Sequence, residues 1–198
     1  MSATLPVIYL VRHGETAWSL TGQHTGQTDL PLTERGQRNA HRLSEKLSGV
    51  RFTKVFTSPL QRATQTCDLA GFGQAAEKDQ DLFEWDYGQY EGRRSLEILQ
   101  DQPDWDLFRD GCPGGESPTQ IGTRADSMIK KLRNTDGNVL LFSSGHLLRV
   151  LAARWLGLAP GAGRYFLLST ASVSILGYEH TLYQPVIRLW NDTQCIEK

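Results

Sequence analysis

Cysteine is scarce in this chain of 198 residues: Cys67, Cys112 and Cys195 are the only three. They are odd in number and lack C-x-x-C spacing, which argues against a disulfide framework and against a zinc site built on paired cysteines. Each reads as a small buried apolar residue or a surface thiol. An excess of either charge is also missing. The 21 Lys and Arg against 22 Asp and Glu leave a formal net charge of −1. No bulk field gathers nucleic acid or an anionic membrane, and any anionic ligand must be held by a local cluster. No apolar run approaches the ~18 residues expected of a spanning helix, so no membrane is expected. No basic region precedes a sustained apolar stretch at the N-terminus, so a cytoplasmic location is the expectation. The histidines lack H-E-x-x-H spacing and no acidic cluster suggests magnesium, so neither metal nor cofactor is expected. Repeats and low-complexity tracts are missing too.

What is present is a hydrophobic fraction of 39% and a charged fraction of 22%, ordinary for a soluble chain folding as one domain over 1–198. Short apolar runs at Val7–Val11, Lys54–Thr57, Val139–Phe142, Val173–Tyr178 and Val186–Trp190 read as strands, with a weaker one near Ala75–Gln80. Amphipathic runs alternate with them. Thr33–Leu47 starts with Thr33 as N-cap, and Pro59–Ala70 starts with Ser58 as N-cap and proline in the first turn. Ser117–Leu132 and His146–Leu156 complete the helices. This alternation predicts a largely parallel sheet covered on both faces. The stretch around 90–117, rich in glycine and proline, breaks the alternation and reads as an excursion over the strand ends, capping a site there. Ligands of open α/β sheets bind outside the carboxyl ends of the strands.

Three strand ends carry chemistry. The first gives Arg12-His13-Gly14-Glu15-Thr16: a cation, an imidazole and a bare backbone amide. The second leads through Ser58-Pro59 to Arg62 in the first turn of a helix, where amides and the helix dipole favour an anion. The third is Phe142-Ser143-Ser144-Gly145-His146, a small-residue turn opening a helix. Guanidinium groups match phosphate oxygens in a bidentate way, so Arg12 and Arg62 suit a doubly ionised phosphate. His13 is then a candidate nucleophile, dividing hydrolysis into two easier steps through a phosphohistidine. The leaving oxygen needs a proton, and Glu84 within Phe83-Glu84-Trp85 offers one.

These residues resemble the histidine phosphatase superfamily, which includes cofactor-dependent phosphoglycerate mutases and many phosphatases. Its Arg-His-Gly signature stands at 12–14. Thr25-Gly26, Asp29 to Gly36, and Ser58 to Thr66 match as well, and the likeness runs from about Ile8 to Asn191. It implies a three-layer α/β/α fold with a mixed, mainly parallel sheet, His13 as the phosphorylated residue, Arg12 and Arg62 as phosphate clamps and Glu84 as proton donor. Gly22 to Gly26, Glu84 to Gly92 and Asp110 to Glu116 are similar to the subgroup containing sedoheptulose-bisphosphatase and related sugar-phosphate phosphatases. By that likeness His24, Thr25, Gly26, Tyr87, Ser144, Gly145 and Arg149 line the pocket for a small sugar phosphate. Arg149, one helical turn beyond Gly145, is placed to reach a second phosphate. Homo-oligomer formation is left open.

The family places a second histidine before the glycine of the third turn, and here that residue is Ser144. The flanking match of Phe142, Ser143, Gly145 and Arg149 opposes sliding the motif onto His146. Serine keeps a hydroxyl donor but cannot carry positive charge. Losing one such donor costs about 2.7–4 kcal/mol, or roughly 10²–10³ in rate, by analogy with oxyanion sites. A slowed phosphatase is therefore expected, with two alternatives. A mutase shares the first half-reaction but must retain its phosphoryl group, and a short chain leaves little material for a lid. A catalytically impaired binder of phosphate ligands has no chemical need for Glu84. Gly71-Phe72-Gly73-Gln74-Ala75-Ala76 matches G-x-G-x-x-A but follows a helix, so it is not read as a dinucleotide loop.

Overall fold

The computed structural model describes residues 5–194 and 196–197; Cys195 lies outside them. The alternation of side chains along the central strands sorts the core into two clusters. In β1 (Ile8–Arg12), Ile8 and Leu10 enter one cluster and Val11 the other. In β4 (Asn138–Ser143), Val139 and Leu141 join the first, Leu140 and Phe142 the second. The first cluster is completed by Ile121, Met128 and Leu132 of a helix at Pro118–Arg133 and by Leu147 and Leu151 of one at Gly145–Trp155. The second is completed by Leu43 and Leu47 of a helix at Glu34–Leu47 and Cys67 of one at Gln61–Leu69. Helices therefore cover both faces.

The remaining strands are β2 (Phe52–Thr57), β3 (Ala76–Lys78), β5 (Val173–Tyr178) and β6 (Pro185–Asp192). The sheet order is β3-β2-β4-β1-β5-β6. The pairs β3–β2, β2–β4 and β4–β1 are parallel, whereas β1–β5 and β5–β6 are antiparallel. The sheet is thus mixed and mainly parallel. The carboxyl ends of β1, β2 and β4 share one edge, next to the point where the pairing changes sense.

In chain order the helices are α1 (Ala17–Thr21), α2 (Glu34–Leu47), α3 (Gln61–Leu69), α4 (Ser95–Asp101), α5 (Leu107–Asp110), α6 (Pro118–Arg133) and α7 (Gly145–Trp155). Thr33 caps α2 as expected, accepting the Gly36 amide, and Ser117 forms a capping box with Gln120 ahead of α6. The start of α3 differs from the expectation. Pro59 and Leu60 precede the helix, and the Ser58 hydroxyl lies 3.5 Å from the Leu60 amide. The cap comes instead from Asp29, far away in sequence, whose Oδ1 accepts the Gln61 amide at 2.7 Å. In the 90–117 stretch, Ile98 of α4 and Leu107 and Phe108 of α5 pack into the first cluster. Among the described residues no helix is long and apolar enough to cross a membrane.

Candidate active site

β1 delivers His13, whose backbone amide donates to the Ser143 carbonyl at 2.9 Å. The turn that follows is held by close contacts that admit no side chain. A Cβ on Gly14 would lie 2.7 Å from the Gly36 carbonyl oxygen, and one on Gly36 would lie 2.3 Å from that of Glu15. Glu15 accepts the Thr33 hydroxyl at 2.7 Å and pairs with Arg35, so the start of α2 braces this turn. The Gly14 amide donates to Thr66 Oγ1 on α3 at 2.9 Å. His13 Nδ1 lies 2.7 Å from the Gly14 carbonyl oxygen. A carbonyl only accepts, so Nδ1 carries the proton and Nε2 keeps its lone pair. Burial, with the charges of Arg62 and Arg12, holds this imidazole well below its ordinary value and therefore neutral near pH 7.

The buried guanidinium of Arg62 and the partly buried one of Arg12 act electrostatically on that imidazole. Arg62 donates to the carbonyls of Thr28, Thr25 and Gly26 at 2.9–3.0 Å, and Arg12 donates to that of Leu168. Arg12 Nε, Arg62 Nε and Ser144 Oγ are buried without a protein hydrogen-bond partner. Burial lowers both arginines from their usual value, with Glu84 opposing. Buried donors without partners are rare, and three of them, two on the cations themselves, fit an anion with several acceptor oxygens. Gly145 sits against Arg12: a Cβ there would lie 3.1 Å from Arg12 Nε. Ala171 is held at φ 56, and its amide bonds the Arg12 and His13 carbonyls at 3.1 and 3.0 Å.

Glu84 is 5% exposed and closes the first turn of α7. Its carboxylate accepts the amides of His146 at 3.0 Å and Leu147 at 2.8 Å, as well as that of Trp85 at 2.9 Å. Ser144 occupies the N-cap position of α7, yet its side chain makes no capping bond. A serine there ordinarily accepts such amides itself. Glu84 has taken them, which leaves the Ser144 hydroxyl uncommitted.

A cleft of about 220 Å³ opens above these groups, lined by Arg12, His13, Glu84 and Gly145 together with Ser19, Gln23, His24, Thr25, Tyr87, Ser95, His146, Arg149 and Leu168. Apart from Arg12, Glu84 and Arg149, the lining is made largely of neutral polar groups. The Tyr87 ring lies 4.6 Å from that of His24, and its hydroxyl is 2.5 Å from His146 Nδ1. Burial holds Tyr87 well above its ordinary value and His146 well below, so Tyr87 donates to His146 Nδ1 and the imidazole proton sits on Nε2. His24 is pushed down to about 4 by burial, with Ser95 Oγ 3.2 Å from its Nε2. Arg149 Nε and Nη2 donate to the Gly163 and Arg164 carbonyls, each at 3.0 Å, and its guanidinium stacks 4.6 Å from the Phe108 ring centre.

The structure thus brings His13, Arg12, Glu84, His24, Thr25, Tyr87, Gly145 and Arg149 to one cleft. Gly26, expected in the pocket, does not line it. Its carbonyl accepts from Arg62, its amide donates to the Glu91 carboxylate at 2.9 Å, and a Cβ would lie 2.6 Å from the Trp85 carbonyl oxygen. It is a packing and orienting residue for Arg62. Arg62 and Ser144 are buried and are not among the cleft's lining residues. His146 is engaged by the Tyr87 hydroxyl. Ser19, Gln23 and Ser95 also line the cleft, beyond the residues expected from sequence. Gln23 adjoins the His24-Thr25 motif and was within reach, whereas Ser95 arrives from the irregular stretch with no local signal. Among the described residues, no group of three or more His, Cys, Asp or Glu side chains is placed to hold a metal ion.

The chain is 39% identical over 181 residues to an acid phosphatase of Mycobacterium tuberculosis, covering 89% of each chain. It is 38% identical over 191 residues to the sedoheptulose 1,7-bisphosphatase of Saccharomyces cerevisiae, covering 80% of this chain and 70% of that one. A solved structure of the open reading frame Rv3214 from M. tuberculosis superposes with a TM-score of 0.88 at 36% identity, covering 94% and 97% of the two chains. The model of the histidine phosphatase superfamily, branch 1, matches residues 8–193, and the chain belongs to that family.

Proposed function

We propose that this chain is a phosphoric monoester hydrolase acting on a small sugar phosphate or bisphosphate through phospho-His13. The observation that carries the reading is His13 itself. Its Nδ1 proton is fixed on the Gly14 carbonyl at 2.7 Å, and its free Nε2 serves a cleft that Arg12 also lines, with the buried Arg62 acting on the same imidazole. In the first step Nε2 attacks phosphorus, the P–O bond to the alcohol breaks, and the leaving oxygen takes a proton from Glu84 in its carboxylic acid form, leaving the carboxylate. In the second, water attacks phosphorus, the N–P bond breaks, phosphate leaves, and Glu84 takes the proton from the water. Arg12 and Arg62 hold the phosphoryl oxygens throughout. The neutral wall of His24, Thr25, Tyr87, Ser95 and His146 suits a hydroxyl-rich alcohol. Arg149, with Nη1 uncommitted, suits a second anionic group on it. The named activities of the acid phosphatase and the bisphosphatase support the same class.

Ser144 sets the rate. Its hydroxyl is free to donate to a phosphoryl oxygen but brings no charge, which leaves the transferring group less stabilised than a histidine would. The test is phosphate release from a panel of sugar mono- and bisphosphates by the parent, His13→Ala and Ser144→His. His13→Ala abolishes release, and Ser144→His raises turnover by about 10²-fold, the lower end for one oxyanion donor. Isomer formation without matching phosphate release would favour a mutase. No His13-dependent release from any substrate would favour a binder, and an unchanged rate in Ser144→His would remove the serine as the limit.

A further inference from the structure

We infer that Arg124, with Glu116, is a positioning residue that aims Glu84 for proton transfer. Neither residue lines the catalytic cleft; both line a separate shallow pocket. Arg124 projects from α6 and spends its donors on the backbone that carries Glu84. Nη1 donates to the Asp81 and Phe83 carbonyls at 3.0 and 2.9 Å, and Nη2 to that of Glu84 at 3.2 Å. Nε and Nη2 form a bidentate pair with the Glu116 carboxylate at 2.7 and 2.6 Å. Glu116 in turn accepts the Asp86 amide at 3.0 Å through Oε2 and the Trp85 indole N–H at 2.9 Å through its carbonyl. On the sheet side, Ser143 Oγ holds the Leu82 carbonyl at 2.7 Å.

The backbone of residues 81–86 is therefore pinned at successive positions, and Glu84 can direct its carboxylate only from that fixed base. A planar guanidinium can serve three carbonyls and a carboxylate at once, whereas an ammonium offers a single point charge. A misplacement of ~1 Å at a proton donor is enough to cost catalysis heavily. The half-buried Arg124–Glu116 pair, with side chains 21% and 17% exposed, thus acts through Glu84 and not on the substrate.

The inference rests on the reading of Glu84 as proton donor, and the test separates the two. The measurement is kcat/KM for phosphate monoesters whose leaving groups run from dinitrophenol, which departs without a proton, to simple alcohols, which need one. Glu84→Gln steepens the dependence on leaving group. Arg124→Gln and Arg124→Lys do the same, losing at least about 10-fold on alkyl esters and staying within about 3-fold on the dinitrophenyl ester, as expected when general-acid catalysis alone is impaired. Adding Arg124→Gln to Glu84→Gln brings no further loss on alkyl esters. Glu116→Gln serves where an Arg124 variant does not fold. Equal losses along the whole series, or losses that multiply with Glu84→Gln, overturn the inference. A Glu84→Gln enzyme with unchanged leaving-group dependence overturns the donor role of Glu84 and the positioning role with it.

Discussion

His24 shows how much one buried side chain can set. It is held neutral with its value near 4, against an ordinary histidine value near 6.5. Between those limits the unfolded chain binds a proton that the folded chain refuses, so stability falls as pH drops from about 6.5 toward 4. His13 and His146, also held low by burial, act in the same direction. One such group contributes a slope of at most about 1.4 kcal/mol per pH unit. Urea unfolding at pH 7, 6 and 5 therefore gives decreasing stability in the parent and a shallower decline in His24→Gln. Identical slopes in the two proteins would contradict the burial of a neutral imidazole at this position. At the same scale, the sequence shows which residue types meet but not how they are used. Arg12, His13 and Glu84 were legible from their motifs. That Glu84 takes the α7 amides, leaving Ser144 uncommitted, depends on a contact across 62 residues that no local pattern announces.

At the scale of elements, the site depends on helix starts being held in place from outside. α3 carries Arg62 in its first turn, and its cap is Asp29, which also accepts the Gln61 side-chain amide on its carbonyl at 2.6 Å. Removing an N-cap carboxylate costs about 1 kcal/mol, within a range of about 0.5–2. Asp29→Ala lowers unfolding free energy by about that amount in urea and weakens phosphate affinity through Arg62; an unchanged urea midpoint would refute the cap. The periodicity of α2 and its Thr33 cap could be read from sequence because every signal is local. The start of α3 could not, because Ser58-Pro59 imitates a local cap that tertiary structure overrides. The short α1, α4 and α5 lack a long period to detect, and their apolar residues matter chiefly through contacts with distant elements.

At the scale of the whole molecule, strand order decides where chemistry is placed. The alternation of strands and helices foretells a covered, largely parallel sheet. It does not reveal that β4 lies between β2 and β1, and that order brings Arg62, Ser144 and His13 to one edge. Here the family likeness supplied what periodicity lacked, since Arg12-His13-Gly14 already implied partners for a phosphate. In the proposed reaction His13 becomes covalently phosphorylated during turnover. The most direct test is a single turnover on a hydrolysed sugar phosphate carrying labelled phosphorus, quenched in alkali, with the label mapped along the chain. The prediction is an acid-labile, alkali-stable phosphoryl group on His13, formed and lost at rates matching turnover and absent from His13→Ala. Phosphate release that proceeds with no label on His13, or with the label on another residue, would contradict it.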